Sequence, residues 1–434
     1  IDALRITIIL SETQRVAALV KSGTPGGDNS SLVLDIYHGA LQDIAMKKMQ
    51  TIRNNSITEI RDSIIPSILN ASLDYNNGFL VIRASETLKL LDSTPYFVAS
   101  TVLTKYFALE QINLRNFAGA DGSQSVNLAG LPFNSTDGIL ITVFLSESKR
   151  VNALIRSGTD GGDGVPLILD VDEKSVEDMG KNKNVANLGL FVQEIEDSTP
   201  PEFSSGVIDF TTGILMLEAS ETLKLEDQTN VHLGKLNLVN RSGDINGLTQ
   251  KYQLRNHSSV ILSGAAVTAT NGQRMTVTLT ETQRVAAMVL SDVPGGDNTP
   301  LLADVSAALA IDMGLNANIK SFGLILTSVS DSGRPVIISA VINYETGLLT
   351  IQFNETIDAT PNALVNLSRI FLVNKTGDSS ILLSSSPPAT VLQSETVNVT
   401  IKLSEYQRAQ AIAMSGKKGG DGQGVRLDLQ HGSC

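Results

Sequence analysis

The stretch "LSETQRVAALVKSGTPGGD", residues 10–28, returns three times along the chain with little change. Its counterparts are "LSESKRVNALIRSGTDGGD" at 145–163, "LTETQRVAAMVLSDVPGGD" at 279–297 and "LSEYQRAQAIAMSGKKGGD" at 403–421. A period near 135 residues is the size of a whole domain with its own core, and it is too long for a solenoid repeat. The sequence therefore predicts tandem domains arranged as beads on a string.

Two further landmarks repeat with the same period. "LDYNNGFLVIRASETL" at 73–88 returns at 208–223 and 342–357. "DSIIP" at 62–66 is answered by "DSTPP" at 197–201 and "DSGRP" at 331–335, and such acidic, proline-bearing stretches are typical of extended junctions. We therefore predict two complete units flanked by two incomplete ones, the last lacking its closing segment. In chain order, units 1 to 4 are residues 1–62, 63–197, 198–331 and 332–434.

Within each unit the apolar residues follow a period of two. After Gly78, the residues Leu80, Ile82 and Ala84 occupy alternate positions, and the other units repeat the pattern. This alternation is typical of half-buried antiparallel strands. The "NNG", "TTG" and "ETG" triplets just before these strands predict hairpin turns. We therefore expect an all-β fold of tandem immunoglobulin-like sandwiches, each carrying one short helix.

The opening stretch itself predicts that helix. Ser11 and Gln14 have the spacing of a capping box, which units 3 and 4 repeat and which unit 2 lacks because Lys149 replaces the glutamine. We expect about ten helical residues, stopped at a glycine and packed as a lid on one edge of the sandwich. The stop glycines would be Gly23, Gly158 and Gly416. The helix also carries Glu-Arg pairs at i,i+3 spacing, for which a role at the helix surface suffices; they are Glu12/Arg15, Glu147/Arg150, Glu281/Arg284 and Glu405/Arg408.

Aspartates recur at fixed places after the helix. One closes each "GGD" turn, another follows seven residues later, and a third follows eight residues after that. Carboxylates from successive loops could surround Ca²⁺, which takes six to eight oxygen ligands. Single aspartates in turns also bond their own backbone, and this structural interpretation remains open. The calcium candidates are Asp28, Asp35, Asp43, Asp163, Asp170, Asp178, Asp297, Asp304 and Asp312.

Ten Asn-x-Ser/Thr sequons favour a secreted, N-glycosylated chain, although polar loops can match this short motif by accident. Two of them fall at equivalent places of their units, in "LVNRSGD" and "LVNKTGD". We predict an extracellular or cell-surface location. The candidate glycosylation sites are Asn29, Asn54, Asn70, Asn134, Asn240, Asn256, Asn354, Asn366, Asn374 and Asn398.

Composition argues against several functions. A net charge of −12 with scattered charges disfavours nucleic-acid binding, and no apolar run is long enough to span a membrane. The four histidines do not recur at equivalent positions of the full units, and no nucleophile elbow, phosphate loop or Cys/His metal cluster is present. The single cysteine, Cys434, cannot form an internal disulfide. We therefore expect a protein that is not an enzyme.

Through its strands, its hairpin turns, the "ETL" segment and the "ITVFLSE" type of run, the chain resembles the tandem immunoglobulin-like repeats of large extracellular surface proteins. The closest type occurs in long adhesins and in surface filaments of microbes and protists. The cysteine pair and the core tryptophan of antibody domains are absent. The resemblance implies a mechanical or adhesive role with glycans covering the surface.

Residues 1–40 and 394–434 are similar to each other, so both end units are expected to be unfinished sandwiches with open edges. Either the chain is a window of a longer array, or separate subunits complete one another head to tail by donor-strand exchange. We favour the second, which makes the protein the protomer of a glycosylated extracellular filament. The alternative function is an adhesin or stalk whose loops bind glycan or protein ligands.

Overall fold

The computed structural model describes residues 4–90, 106–117, 125–134, 136–240, 259–374, 377–392 and 395–430. Strands dominate this part of the chain, and one short α-helix lies in each unit. The prediction of an all-β fold is confirmed. No helix in the described ranges is long and apolar enough to cross a membrane.

Unit 2 shows the complete architecture. Its sheet order is β6-β5-β8-β9-β3-β4-β7, in which β9 belongs to both layers of the sandwich. The first half of β9 pairs antiparallel with β8, and its second half pairs parallel with β3. Its elements are β3 (Ile68–Asp74), β4 (Phe79–Leu88), β5 (Ile112–Arg115), β6 (Ser125–Asn127), β7 (Gly138–Phe144), α2 (Glu147–Leu154), β8 (Ile168–Val171) and β9 (Asn187–Ile195).

The pairing defines the fold type. The first, second and fifth strands of the unit form one layer, and the third, fourth, sixth and seventh form the other. This is the layer assignment of the immunoglobulin fold with an added strand beside the third. Unit 2 is therefore an immunoglobulin-like sandwich whose last strand closes the edge beside its first.

Unit 3 repeats this arrangement, again with a last strand that runs parallel to the first. Its hairpin between β10 and β11 turns at Gly213, whose φ of +69° suits glycine. Its elements are β10 (Phe203–Asp209), β11 (Ile214–Leu223), β12 (Leu236–Val239), β13 (Ser259–Ile261), β14 (Ala266–Val267), β15 (Gly272–Thr278), α3 (Glu281–Val289), β16 (Leu302–Val305) and β17 (Ser321–Val329).

The flanking units contain parts of the same fold. In unit 1, β1 pairs with β2. In unit 4, one layer is β18-β19-β23-β22 and the other is β21-β20-β24. The elements are α1 (Glu12–Val20), β1 (Val33–Ile36) and β2 (Ile52–Ser56), then β18 (Ile337–Asn343), β19 (Leu348–Asp358), β20 (Ile370–Val373), β21 (Ser380–Leu382), β22 (Thr390–Leu392), β23 (Glu395–Lys402), α4 (Glu405–Ala413) and β24 (Arg426–Leu429).

Units 2, 3 and 4 each have their own cluster of buried apolar side chains. The alternating residues predicted to face inward, Leu80, Ile82 and Ala84 in unit 2, are buried. Burial of such side chains is the main favourable term in folding, worth about 1.5–3 kcal/mol for each large one. The period-two pattern therefore correctly locates the core.

The helix begins as predicted and ends earlier than predicted. The capping boxes of α1, α3 and α4 are present, whereas α2 has no side-chain cap. The predicted stops Gly23, Gly158 and Gly416 are outside the left-handed region, and the helices end before they reach them. The serine before each of these glycines is buried in the turn, and Ser157 is an example. The positive φ instead falls on the first glycine of each "GGD".

Candidate functional site

Each junction between units is organised by the arginine of the repeated helix. Arg150 lies with its Nε 2.8 Å from Glu147 on the same helix, its Nη1 2.7 Å from Asp197 and its Nη2 2.9 Å from Glu221. Its Nη1 also donates to the Tyr75 carbonyl. Glu147 belongs to unit 2, Asp197 ends that unit, and Glu221 lies in β11 of unit 3. The buried guanidinium therefore ties the two units together.

The first and third junctions repeat this geometry. Arg15 reaches Asp62 at 2.6 Å and Glu86 at 3.0 Å, and Arg284 reaches Asp331 at 2.8 Å and Glu355 at 3.6 Å. The predicted Glu-Arg pairs within the helices exist at all four places. A role confined to the helix surface was nevertheless too narrow, because each of the first three arginines also binds one carboxylate at the end of its own unit and one in the long strand of the next. Sequence spacing did not reveal this, since the partners lie 47 and 71 residues away.

The helix glutamate makes a second contact across each junction. Glu147 Oε1 accepts a hydrogen bond from the Thr222 backbone N–H at 2.8 Å. The same bond joins Glu12 to Thr87 at 2.9 Å and Glu281 to Thr356 at 2.7 Å. These threonines belong to the "ETL" or "ETI" segment of the following unit, where the pairing of its long strand shifts register. The helix is therefore a docking element between units as well as part of its own unit.

The glycine turn after the helix also contacts the following unit. A Cβ placed on Gly161 would lie 1.9 Å from the Met313 carbonyl oxygen of unit 3, and one on Gly26 would meet the Met179 carbonyl at the same distance. The Met313 side chain is buried in the core cluster of unit 2. The glycine is therefore needed for the close approach of a loop that we call the DMG loop, residues 178–180 in unit 2 and 312–314 in unit 3.

The DMG loop brings a further carboxylate to the junction. Three carboxylates have oxygens within 4.8 Å of one another. One comes from the end of the preceding unit, one from the long strand and one from the DMG loop. Among the described residues two such clusters occur, one at each of the first two junctions. We call them the junction clusters, and they are Asp62, Glu86 and Asp178, and Asp197, Glu221 and Asp312.

Two oxygens of the junction clusters have no hydrogen-bond partner within the described residues. They are Glu86 Oε1 and Asp312 Oδ2, and both are buried. Asp312 is fully buried and Glu86 is 7% exposed. The other Asp312 oxygen accepts from the Asn316 backbone N–H at 2.7 Å, which holds the carboxylate in place.

Burial also perturbs the acidity of the junction clusters. It raises the pKa of Glu86 to about 7, and the neighbouring charges of Asp178 and Asp62 contribute. Burial raises the pKa of Glu221 to about 7, although Arg150 opposes the shift. It raises the pKa of Asp312 to about 6. These carboxylates are therefore poorly stabilised as anions by the protein alone.

The nine aspartates proposed from sequence do not form a shared cluster with one another in the described residues. Asp28, Asp163 and Asp297 each accept a backbone N–H two residues ahead, as turn aspartates do. The second member of each set accepts a hydrogen bond from the backbone N–H 19 residues ahead. The third member accepts one from the backbone N–H four residues ahead. Of the nine candidates, Asp178 and Asp312 also enter junction clusters. The other seven act as backbone acceptors outside these clusters, and they are Asp28, Asp35, Asp43, Asp163, Asp170, Asp297 and Asp304.

The sequon asparagines lie in different surroundings. Six are exposed, three are half-buried, and Asn256 lies outside the described residues. The half-buried Asn240 donates from Nδ2 to Asp297 Oδ2 at 3.1 Å, so its amide already has a partner. The exposed ones are Asn29, Asn54, Asn70, Asn354, Asn366 and Asn398, and the half-buried ones are Asn134, Asn240 and Asn374.

A second candidate site is the free edge of β18 in unit 4. The described residues provide no strand on this edge, whereas the equivalent strands of units 2 and 3 pair with β9 and β17. Ile337 is accordingly 38% exposed, whereas its counterparts Ile68 and Phe203 are 4% and 3% exposed. The edge therefore leaves apolar side chains in water, which is unfavourable.

The segment that would cover such an edge occurs in unit 1. Residues 57–60 are the counterparts of 192–195 in β9 and of 326–329 in β17, and in the described chain they lie outside any strand. Ile57 is 39% exposed, whereas its counterparts Val192 and Leu326 are 0% and 4% exposed. Residues 57–60 therefore correspond in sequence to the strands that pair with the counterparts of β18 in units 2 and 3.

No family model matches the chain, and no curated protein matches it. Two solved structures of a marsupial T cell receptor are similar over 79% and 78% of this chain, and over 93% and 91% of the receptor chains. Their sequence identities are 10% and 9%, and their TM-scores are 0.15 and 0.12. These scores are too low to support an inference, and the immunoglobulin-like assignment rests on the strand order.

Proposed function

We propose that the chain is a structural protein, the protomer of an extracellular filament built from docked immunoglobulin-like units. Successive protomers join head to tail when residues 57–60 of one copy pair with β18 of another. The observation that supports this proposal most directly is the match between the free edge of β18 and the unpaired closing segment in unit 1. Head-to-tail contacts that do not close on themselves generate open filaments.

We infer the register of this joint from the pairing in the complete units. In unit 2, Ala71 pairs with Val192 and Asp74 with Ile195 in parallel. The same register in the joint places Ala340 opposite Ile57 and Asn343 opposite Ile60. In the joint, β2 (residues 52–56) leaves β1 of its own copy and pairs with β24 of the other copy. The exchange is possible because β1 ("VLDI") and β24 ("RLDL") are counterparts in their units.

A tyrosine–glutamate pair favours the closing segment of unit 1, rather than that of unit 3, as the segment that covers the edge of β18. In unit 2 the buried Tyr75 hydroxyl donates to Glu194 at 2.7 Å. In unit 3 these positions are Phe210 and Ser328. The open unit 4 has Tyr344, and the unpaired segment of unit 1 has Glu59, so the Tyr-Glu combination of a closed unit is restored between two copies. A second copy of this chain is therefore the occupant that we propose.

The proposal includes an extracellular location and N-linked glycans. It is supported by the six sequons whose asparagines are exposed. None of the six asparagines belongs to a junction cluster.

Substituting Ile57 by aspartate is expected to abolish head-to-tail assembly. Its counterparts are buried in the closed units, so the joint would have to bury an unpaired carboxylate, at a cost of several kcal/mol. Association should weaken by at least about 100-fold, as measured by sedimentation velocity and by electron microscopy of the full chain.

The matched control is Ile60→Asp, because its counterparts Ile195 and Val329 remain 45% exposed in closed units. This variant should still assemble. The proposal is wrong if the unsubstituted chain stays monomeric at high concentration, or if Ile57→Asp assembles as well as Ile60→Asp.

A further inference from the structure

We propose that each junction cluster binds one divalent cation with the coordination chemistry of Ca²⁺. At the first junction the ligands are Asp62, Glu86 and Asp178, and at the second they are Asp197, Glu221 and Asp312. This inference is independent of the strand joint proposed above, because it concerns contacts inside one chain.

The spacing of the oxygens fits calcium. The oxygens of each cluster lie within 4.8 Å of one another. Ca²⁺ binds oxygen at about 2.3–2.6 Å, so two ligands on opposite sides of the ion are about 4.6–5.2 Å apart. Mg²⁺ demands about 2.0–2.1 Å and near-ideal octahedral geometry, which three carboxylates on three separate segments satisfy less easily. Water and backbone carbonyls would complete the six to eight ligands of Ca²⁺.

The unpartnered oxygens supply an observation that is independent of the clustering. Glu86 Oε1 and Asp312 Oδ2 are buried without a hydrogen-bond partner in the described chain. An unpaired buried polar atom costs free energy, and a charged one costs more. A cation beside these oxygens removes that cost. Glu86 belongs to the cluster at the first junction and Asp312 to the cluster at the second.

The charge balance points the same way. At the second junction four carboxylates, Glu147, Asp197, Glu221 and Asp312, surround the single guanidinium of Arg150. If all are ionised the site has an excess of three negative charges in a largely buried position. Either protons or a cation must compensate this excess, because unpaired buried charges are expensive. A bound Ca²⁺ reduces the excess to one.

The position of the ion defines what it would do. It would connect the end of one unit through Asp197 to the long strand and the DMG loop of the next through Glu221 and Asp312. Arg150 links two of the same carboxylates to the preceding helix. The ion would therefore stiffen the junction without touching the strand joint at β18.

The third junction provides a built-in comparison. Asp331 and Glu355 occupy the first two positions around Arg284, but no third carboxylate joins them within the described residues. We therefore expect one bound ion at each of the two junction clusters.

The test is equilibrium dialysis of the full chain against CaCl2 after removal of metal with a chelator, with bound calcium counted by elemental analysis. The unsubstituted chain should bind two Ca²⁺ ions, with dissociation constants on the order of 0.1–1 mM as in extracellular modules. Asp178→Asn and Asp312→Asn should each remove one ion, and the double variant should bind none. The amide oxygen introduced by Asp312→Asn can still accept the backbone N–H of Asn316, so the variant keeps the hydrogen bond that holds the DMG loop.

Glu355→Gln is the matched control, and it should leave both ions in place. Thermal unfolding of the unsubstituted chain with and without CaCl2 provides a second measurement that needs no variant, and its midpoint should rise with calcium. The proposal is overturned if no ion binds, if the double variant binds as many ions as the unsubstituted chain, or if MgCl2 is bound as tightly as CaCl2.

Discussion

Arg150→Met is expected to lower the stability of the second junction by about 3–5 kcal/mol, because breaking a buried ion pair leaves its partners buried and uncompensated. Asp197 and Glu221 would lose the guanidinium that lies 2.7 and 2.9 Å from them, and the Arg150 side chain is only 7% exposed. Methionine keeps most of the side-chain volume, so the loss is electrostatic rather than a cavity effect. Amide exchange at the start of unit 3 should accelerate about 100- to 4,000-fold.

Arg408→Met is the matched control for this prediction. Arg408 occupies the same helix position in unit 4, where its carboxylate partner in the described chain is the exposed Glu405. An exposed ion pair contributes little to stability, so this variant should behave like the unsubstituted chain. Equal exchange rates in the two variants would show that the buried arginine does not hold the units together.

Gly161→Ala is expected to separate the turn of unit 2 from the DMG loop of unit 3. The new Cβ would lie 1.9 Å from the Met313 carbonyl oxygen, a distance at which the backbone must move. The φ of +84° adds strain of about 1–2 kcal/mol for any residue with a Cβ. Overpacking adds about 1–3 kcal/mol more, so the docked junction should open. Faster amide exchange in both the turn and the DMG loop would report this opening.

Gly295→Ala separates the two contributions. Gly295 has the equivalent place in unit 3 and a similar φ of +94°, but its Cβ would meet only the Met288 sulfur, at an ordinary 3.6 Å. This variant should show the backbone strain without the loss of docking. If Gly295→Ala opens its junction as much as Gly161→Ala does, the close approach to Met313 is not what the glycine provides.

The sequence was sufficient to predict the strands of each hairpin, the hairpin turns and the helix start, because each depends on local patterns. Period-two burial at Leu80 and Ile82 and the capping box at Ser11 are determined within a few residues. The helix end was misplaced, because the Ser-Gly step resembles a helix stop, whereas the left-handed glycine lies further on, in the turn that contacts the next unit.

The junction sites could not be predicted in the same way. Arg150 meets its partners across 47 and 71 residues, and sequence gives no measure of which repeated carboxylates converge. Aspartates that recur at regular spacing suggested loops around calcium, yet Asp170 and Asp304 accept hydrogen bonds from backbone amides on the neighbouring strand. One signal was present: Asp62, Glu86 and Asp178 have counterparts at the same places in the next unit, as residues that share a contact would.

The repeated helix docks each unit onto the next, and amide exchange at three threonines tests this arrangement most directly. The N–H groups of Thr87, Thr222 and Thr356 each donate to a glutamate of the preceding unit. We predict that all three amides are protected in the full chain, and that Glu147→Ala removes the protection of Thr222 while sparing Thr87. Unprotected amides in the unsubstituted chain, or a Thr222 amide that ignores the loss of Glu147, would contradict the docked arrangement.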